Sequence, residues 1–387
     1  MRFATLMMML FVTPLLSAAD PLAKVRNETD LDAVIRSTTD AKVRKAIEVH
    51  VPQIAAAAAR KPHVDFVAEV LTNAKGSFER INTTPEALAK ALGGPSVLFD
   101  SLSIANLGST ELGIKAKRDI DPFDQVFYER LGQIDTVSEI IILHTVCQNA
   151  WLAPLAKMKS LKSLRIINQA KLNDEGLALL APLKQLESFA YIGTSMTGEP
   201  FKDFIGWNSL KRTSHRGSKM TSDGLTSLCR AFPNLESLIL AHGFYTDDAV
   251  ANLASLKNLT ALEIGSPKAT PQCLKHIAGL PLQYLQLGDG LDASAGIAIV
   301  KDIKTLKRLT LTNCLKATDD DLKSVAGMKH LENLELSNIV LTEDRLPLLK
   351  EFGFLKSLRI TQPKQPFAPE MQAKIKEMLP SVALKFE

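Results

Sequence analysis

The chain has 387 residues, of which 46% are hydrophobic and 23% are charged, the usual balance of a folded soluble protein. Its length allows two ordinary domains or one elongated domain. The formal net charge is only +4, so the sequence gives no broad electrostatic case for nucleic acid, and a nucleic-acid partner is not expected.

The first twenty residues, MRFATLMMMLFVTPLLSAAD, have the layout of a secretory signal. One arginine precedes an apolar run, and the small residues Ser17 and Ala19 end it. The alternative is a membrane anchor, but that needs about 20 apolar residues, and Pro14 interrupts this shorter run. We therefore predict a signal peptide over residues 1–19, no membrane span elsewhere, and a secreted or periplasmic mature protein.

Residues 20–121 are predicted to be a helical N-terminal region. Their apolar side chains recur at helical spacing, for example at Val43, Ile47, Val51 and Ile54. Near the end, FDSLSIANL has the spacing of a strand, and DPFDQVFYERLGQI is again typical of a helix. We expect a cap with a lead-in strand, because the end of a stacked repeat needs cover. The alternative is a separate binding domain.

A repeat of 23 to 25 residues occupies residues 122–387. Its first apolar column is Val137, Leu161, Leu186, Leu210, Leu235, Leu259, Leu282, Leu306, Leu331 and Leu355. Two further apolar columns follow three and five residues later, as in HLENLELSNIVL. These two columns are two residues apart, as one face of a strand requires. The sequence thus predicts about ten strand-forming units of about 24 residues.

A favoured N-cap residue comes after most of these strands, often with an acid in the following turn. The positions are Asn173, Thr197, Thr221, Thr246, Thr270, Thr318 and Thr342. Apolar pairs three residues apart come next and indicate a helix. Each unit is therefore predicted to be a strand, a turn and a short capped helix. Such a unit cannot bury its own leucines and must stack on its neighbours.

The pattern L-x-x-L-x-L followed by a capped helix resembles the leucine-rich repeat family. The segments LNDEGLALLAPLKQL and MTSDGLTSLCRAFPNL are similar to its T-D-x-G-L variety, which occurs in secreted bacterial leucine-rich proteins and in eukaryotic ubiquitin-ligase adaptors. The resemblance implies an α/β solenoid, a curved horseshoe with parallel strands on its concave side and helices on its convex side. It is specific for the fold and says little about function.

The four cysteines, Cys147, Cys229, Cys273 and Cys314, include no C-x-x-C pair, so a clustered metal site or haem attachment has no support. Neighbouring units carry no matching cysteine, and a solenoid would keep the four apart. We expect buried thiols that act as small hydrophobic residues. Neither a metal nor another cofactor is predicted.

Residues between the core positions of each strand are predicted to point to the concave face. They are largely apolar in the first five units and polar in the last five. The predicted binding surface consists of Ile141, Leu143, Arg165, Ile167, Ile192, Arg216 and Ile239. Because a contiguous apolar patch marks an interface, we expect a protein or peptide ligand. Two alternatives stay open: the helical region covers the patch, or the assigned register is wrong by one residue.

The fourth unit, WNSLKRTSHRGSKMTSDGL, departs from the pattern because Thr213 and His215 occupy core columns. One interpretation is a small anion or carboxylate pocket formed by Lys211, Arg212, His215 and Arg216. The other is a degenerate repeat with solvated charges. The histidine has no carboxylate close by in the sequence, so a catalytic role is not predicted.

Motifs for hydrolysis, zinc, phosphate or dinucleotide binding are absent from the sequence. Asp289 and Asp292 could bind Ca²⁺, but a turn is the simpler interpretation. We therefore predict a non-enzymatic binding protein that presents a rigid concave face. Recognition of a cell-wall glycan or other polymer is the alternative, with Tyr191, Trp207 and Tyr284 as aromatic platforms. A ubiquitin-ligase adaptor or an enzyme ranks below both.

Overall fold

The structure is a computed structural model, and it describes residues 20–108, 122–143 and 147–386. The predicted signal peptide, residues 1–19, lies outside the described residues. So does residue 121, where the predicted helical region ends. Within the described ranges, no helix combines the length and the apolar character that crossing a membrane requires.

One sheet runs through the molecule, and its strands lie side by side in sequence order. β1 (Ser77–Asn82) pairs antiparallel with β2 (Asp100–Leu107), and each later pair of neighbours is parallel. The other strands of the described ranges are β3 Glu139–Leu143, β4 Ser163–Ile167, β5 Ser188–Ile192, β6 Arg212–Ser214, β7 Ser237–Leu240, β8 Ala261–Ile264, β9 Tyr284–Leu287, β10 Arg308–Leu311, β11 Asn333–Leu336, β12 Ser357–Ile360 and β13 Ala383–Phe386. The predicted lead-in strand is β2, and β13 extends the sheet beyond the last predicted unit.

Alternating burial explains why such short segments form strands. In β11, Leu334 and Leu336 are buried, whereas Asn333 and Glu335 are half-buried on the other face. From β2 to β13 the strands pair residue for residue, so the inward side chains of one unit stack on those of the next. They form one continuous hydrophobic core that no single unit could build. The predicted strand–helix solenoid is therefore confirmed, and the arrangement fits a curved horseshoe.

The segments that follow the strands of the repeat are short helices. Many of them are 3-10 helices, whereas α-helices were predicted. The α-helices are α6 Asp174–Ala178, α7 Ser222–Ala231, α8 Asp247–Val250, α9 Ser294–Val300, α10 Asp319–Ala326 and α11 Pro369–Met378. The 3-10 segments are Asn149–Lys157, Glu199–Asp203, Ala251–Ser255, Pro271–His276 and Leu346–Phe352. Four of these five have a proline at the start or inside. Its missing N–H and fixed φ oppose a longer α-helix.

The threonines at the helix starts have two roles, and the sequence predicted only one of them. Thr221 and Thr318 cap their own helices, as expected. Thr197 instead binds the preceding unit, because its Oγ1 donates to Asp174 at 2.6 Å and its backbone N–H donates to the same carboxylate at 2.9 Å. We call this contact the aspartate clamp. A first-turn acid therefore joins two units as well as suiting the helix dipole.

The N-terminal helices pack onto the start of the sheet. They are α1 Glu28–Ser37, α2 Ala41–Val49, α3 Val51–Asn73, α4 Glu86–Leu92 and α5 Gln125–Leu131, with a 3-10 turn at Val97–Phe99. Val64, Val67 and Leu71 of α3 belong to the solenoid core. Arg60 of α3, 8% exposed, donates to Asp135 at 2.7 Å and ties this helix to the first unit. The N-terminal half of α3, with Ile54, Ala57 and Ala58, helps to form a second, smaller core with α1, α2 and α4.

Candidate functional site

The outward residues of the parallel strands form three columns across the sheet. Column A runs from Glu139 in β3 to Ala383 in β13, and column B runs from Ile141 to Lys385. Column C begins with Leu143, Ile167 and Ile192. Between columns A, B and C lie the buried residues, such as Ile140 and Ile142. The assigned register is therefore correct, and the alternative of a one-residue error is excluded.

Four aliphatic residues, Ile141, Leu143, Ile167 and Ile192, form what we call the apolar patch. They lie on β3, β4 and β5, where Leu143 pairs with Ile167 and Ile167 pairs with Ile192. All four are half-buried and outward. Ile239, predicted to belong to the same surface, lies apart on β7, because the short strand β6 comes between. The seven predicted residues thus divide into a contiguous patch and separate flanking positions.

The two predicted arginines differ in their surroundings. Arg165 lies beside Ile141 in column B, is exposed, and has no ion-pair partner among the described residues. Arg216 follows β6, and its Nη1 lies 4.0 Å from Glu263 Oε2. Arg165 is therefore a cation open to a ligand at the edge of the apolar patch, whereas Arg216 already shares its charge.

The described N-terminal helices do not bury the apolar patch. α3 packs against β1, β2 and α5, at the start of the solenoid, and Ile141 and Ile167 keep part of their surface exposed. This geometry disfavours the alternative in which the helical region lies over the concave face, as far as residues 20–108 are concerned.

The fourth unit is irregular, as its sequence indicated, but it does not form the predicted anion pocket. Its strand β6 has only three residues. His215 is 1% exposed, and its Nε2 lies 2.9 Å from Thr213 Oγ1. The rings of Phe189 and Phe201 contact it at centroid distances of 5.8 and 5.2 Å. Burial lowers the pKa of His215 to about 3, so the ring is neutral and offers no charge to an anion.

The basic neighbours of His215 point elsewhere. Lys211 Nζ donates to Glu236 at 2.9 Å across to the next unit, and Arg212 is exposed in column A. The four residues of the predicted pocket are therefore split between the core and the surface. The histidine fills a core position among aromatic rings, which is the better description of this unit.

Two of the three aromatic platforms proposed for a glycan are inaccessible. Tyr191 and Trp207 are both 0% exposed. Burial also raises the pKa of the Tyr191 hydroxyl, and its oxygen donates to Asn173 O. Tyr284 is half-buried in column A, and the guanidinium of Arg308 lies 5.1 Å from its ring centroid. Of the three proposed platforms, Tyr284 is the one whose ring a sugar could reach.

The polar half of the face has an order that the sequence reasoning missed. On the units of β10 to β12, two cations meet each acid of the unit between them: Arg308 and Arg359 both face Glu335, at 3.9 and 3.2 Å. Lys307 and Lys356 both face Glu332, at 3.7 and 2.6 Å. A signal was present, because these charges recur about 24 residues apart with alternating sign.

A second missed feature is a histidine–carboxylate pair at the ends of β7 and β9. Asp289 accepts from the backbone N–H of His242 at 3.0 Å, and its Oδ1 lies 3.0 Å from His242 Nδ1. It reaches across Gly265, where an added Cβ would lie 2.6 Å from Asp289 Oδ2. The pair is 47 residues apart, so local sequence gave no signal. Asp292 instead accepts from Asn313 N–H at 2.7 Å, in a turn as expected.

The cysteines and the possible metal ligands complete the set of candidate residues. All four cysteines are buried thiols, as predicted, and burial raises the pKa of Cys229 to about 12. Within the described ranges, no three His, Cys, Asp or Glu side chains stand together in a way that could hold a metal ion.

No protein-family model matches the chain, and no curated protein matches it. Among solved structures, an internalin from Listeria monocytogenes is similar to 62% of this chain and 70% of its own, with 20% identity and a TM-score of 0.40.

Proposed function

We propose that the chain is an exported, non-enzymatic binding protein that holds an extended segment of a protein partner across the concave face. The carrying observation is the apolar patch: four aliphatic side chains, adjacent on three strands, stay half-buried on the outward side. Aliphatic surface in contact with water is destabilising by about 25 cal/mol per Å², so a partner that covers it gains free energy. Arg165 stands beside the patch and would fix the orientation of a polar group on the partner.

Export rests on the sequence of residues 1–19, and we propose a secreted or periplasmic mature protein that begins at Asp20. Membership of the T-D-x-G-L variety has structural support. In the fourth unit Thr221 caps the helix, and Gly224 lets it approach the preceding turn, since a Cβ there would lie 2.0 Å from Thr197 O. The polymer-recognition alternative has weaker support, because Tyr191 and Trp207 are buried.

A peptide library tests the proposal. Random peptides displayed on phage are selected for binding to the mature chain. The affinity of the selected peptides is then measured for the mature chain and for an Ile167→Asp/Ile192→Asp variant. A matched control is Ile205→Asp, which removes an isoleucine that is 73% exposed elsewhere. We expect enriched sequences with aliphatic residues that bind the Asp variant at least about tenfold more weakly and the control as well as the native chain. Enriched peptides that bind all three proteins equally would overturn the proposal.

A further inference from the structure

Two outward arginines close to the apolar patch have no acidic partner. Arg165 on β4 and Arg212 on β6 are exposed, and within the described ranges no carboxylate oxygen lies within 4.0 Å of either guanidinium group. We call these two residues the arginine pair. The outward arginines Arg216, Arg308 and Arg359, by contrast, each have a glutamate oxygen at 4.0 Å or less. The N–H donors of the arginine pair are therefore open to a ligand.

The strand register places the arginine pair around two small residues of β5. Six outward positions on β4, β5 and β6 form a grid of two rows. They are Ser163, Ser188 and Arg212 in column A and Arg165, Ala190 and Ser214 in column B. An arginine lies at two opposite corners of the grid, a serine lies at the other two, and Ser188 and Ala190 lie between them.

The centre of the grid is recessed. Ala190 faces outward but is only 6% exposed, because larger side chains surround its methyl group. Arg165 and Arg212 are two strands apart, about 10 Å across the sheet, and are offset by two residues, about 6.6 Å along it. A group above Ser188 and Ala190 is thus about 6 Å from each arginine Cα, which both guanidinium groups can reach from opposite sides.

The carboxylates around the grid do not neutralise it. Glu187 pairs with Lys162 at 3.3 Å, and Glu236 pairs with Lys211 at 2.9 Å, just before the strands begin. Each of these pairs contributes one charge of either sign. Glu139 lies at the border, in column A of β3, and has no cation within 4.0 Å among the described residues. The six grid positions themselves hold two positive charges and no negative one, so they favour an anion.

We propose that the arginine pair binds a carboxylate of the partner, supplied by an aspartate or glutamate close to the aliphatic residues that cover the apolar patch. Guanidinium groups suit carboxylates because two parallel N–H donors match the two oxygens. The hydroxyls of the grid serines add further donors. The inference rests on the proposed function, because the acid belongs to the same partner. His215, buried on the inward side of β6, takes no part, so this site differs from the four-residue pocket that the sequence predicted.

The acid and the aliphatic residues must be close together in the partner. Ile192 lies two residues after Ala190 on β5, a distance of about 6.6 Å along the strand. Ile141 is in the same column as Ala190 and two strands away, about 10 Å across the sheet. An extended peptide rises about 3.3 Å per residue, so two or three residues span either distance. The partner signature is therefore an acid within three residues of an aliphatic residue.

Selection of random phage-displayed peptides on three baits tests the inference. The baits are the mature chain, Arg165→Gln/Arg212→Gln, and Ile167→Ser/Ile192→Ser, which shortens the apolar patch without adding charge. Peptides from the mature chain should be enriched in aliphatic residues with an acid within three positions. Those from the arginine variant should keep the aliphatic residues and lose the acids, and those from the serine variant should do the reverse.

The affinity of one enriched peptide and of its analogue, in which the acid is replaced by the matching amide, measures the size of the effect by fluorescence polarisation. The analogue should bind the mature chain about tenfold or more weakly, and the two peptides should bind Arg165→Gln/Arg212→Gln about equally. The control Lys42→Gln/Lys45→Gln removes the same number of charges from exposed positions on α2. It should keep the full difference between the two peptides.

Peptides enriched in aliphatic residues but not in acids would contradict the inference and leave the proposed function standing. A preference for the acid that persists in the arginine variant, or disappears in the lysine control, would contradict it as well. Acids enriched without aliphatic residues would support the arginine pair and contradict the apolar patch, whereas no enriched sequence at all would contradict both. Binding of oligogalacturonate through the arginine pair, with no preference for acids among the peptides, would assign the pair to an acidic sugar instead.

Discussion

The two halves of the concave face share one scaffold and differ in chemistry. On β3 to β5 the outward positions carry Ile141, Ile167 and Ile192, which pair with nothing charged on neighbouring strands except Arg165. On β10 to β12 the same columns carry Glu335 and charges that neutralise one another in part. The inward residues of both halves are alike and form the core. The inward face of each strand therefore provides stability, and the outward face is the one proposed for recognition.

The largest expected effect tests whether the inward faces really are equivalent. Leu164→Ala in β4 and Leu334→Ala in β11 each remove a buried leucine, 0% and 2% exposed, from the continuous core. Each should lower the free energy of unfolding by about 3 kcal/mol, because both leave a cavity between stacked units. Urea titration followed by circular dichroism measures this. A loss confined to one half would show that the solenoid is not one core.

The second effect lies at the boundary between the halves, where His215 is buried and neutral. Its pKa is about 3 in the folded chain and about 6.5 when unfolded. Only the unfolded state gains a proton as pH falls below about 6.5, so stability is complete above that pH and decreases by about 1.4 kcal/mol per pH unit toward pH 3. His215→Leu should remove this part of the slope between pH 6.5 and 4.5. The exposed His276→Leu serves as control and should keep it.

A smaller effect concerns the aspartate clamp, whose form recurs where the backbone N–H and hydroxyl of Thr270 donate to Asp247. Asp174→Ala removes acceptors of three hydrogen bonds, two from Thr197 and one from the N–H of Gly198. A loss of about 1–2 kcal/mol in unfolding free energy is expected, since the donors of the next unit are left to water. Asp174→Asn, which keeps one acceptor oxygen, should recover part of the loss. Equal stability of the Ala variant and the native chain would mean that the clamp is incidental.

The smallest effect concerns the exposed ion pairs in the two halves of the concave face. Lys162→Gln and Lys356→Gln each remove one exposed partner of an ion pair, in the second and tenth units respectively. Both should change the free energy of unfolding by less than about 0.5 kcal/mol, because exposed pairs contribute little. Thermal unfolding of the two variants checks this. A larger loss in Lys356→Gln would mean that its ion pair with Glu332 contributes to stability.

The sequence predicted the inward pattern well because inward positions repeat. Leu334 and Leu336 recur with the same spacing in each unit, so a one-residue error would have put leucines in water. The lead-in strand β2 was predictable for the same reason. The 3-10 segments were not, although Pro200 and Pro271 at their starts were visible, because a short capped α-helix satisfies the same apolar spacing.

The candidate site was predictable only where the position of a residue in its own strand decides which way its side chain points. Ile141 and Ile167 were assigned to the outward face from spacing, and their neighbours on the sheet follow from the repeat. His215 looked like part of a basic pocket because Arg212 and Arg216 adjoin it in sequence, but alternate residues of a strand point to opposite faces. The ion pairs of Glu332 and Glu335 and the His242–Asp289 pair depend on contacts between units, which a scan for local motifs does not reveal.

The aspartate clamp has a consequence for the order in which the molecule opens. The Thr197 N–H and Oγ1 donate to Asp174 after strand β5, and the N–H of Glu187 donates to Lys162 O before that strand. The third unit is therefore bound to the second at both ends of its strand. An interior unit cannot leave without breaking contacts on two sides, whereas a terminal unit breaks them on one. Exchange of backbone protons with solvent should therefore slow from each end of the solenoid toward its middle.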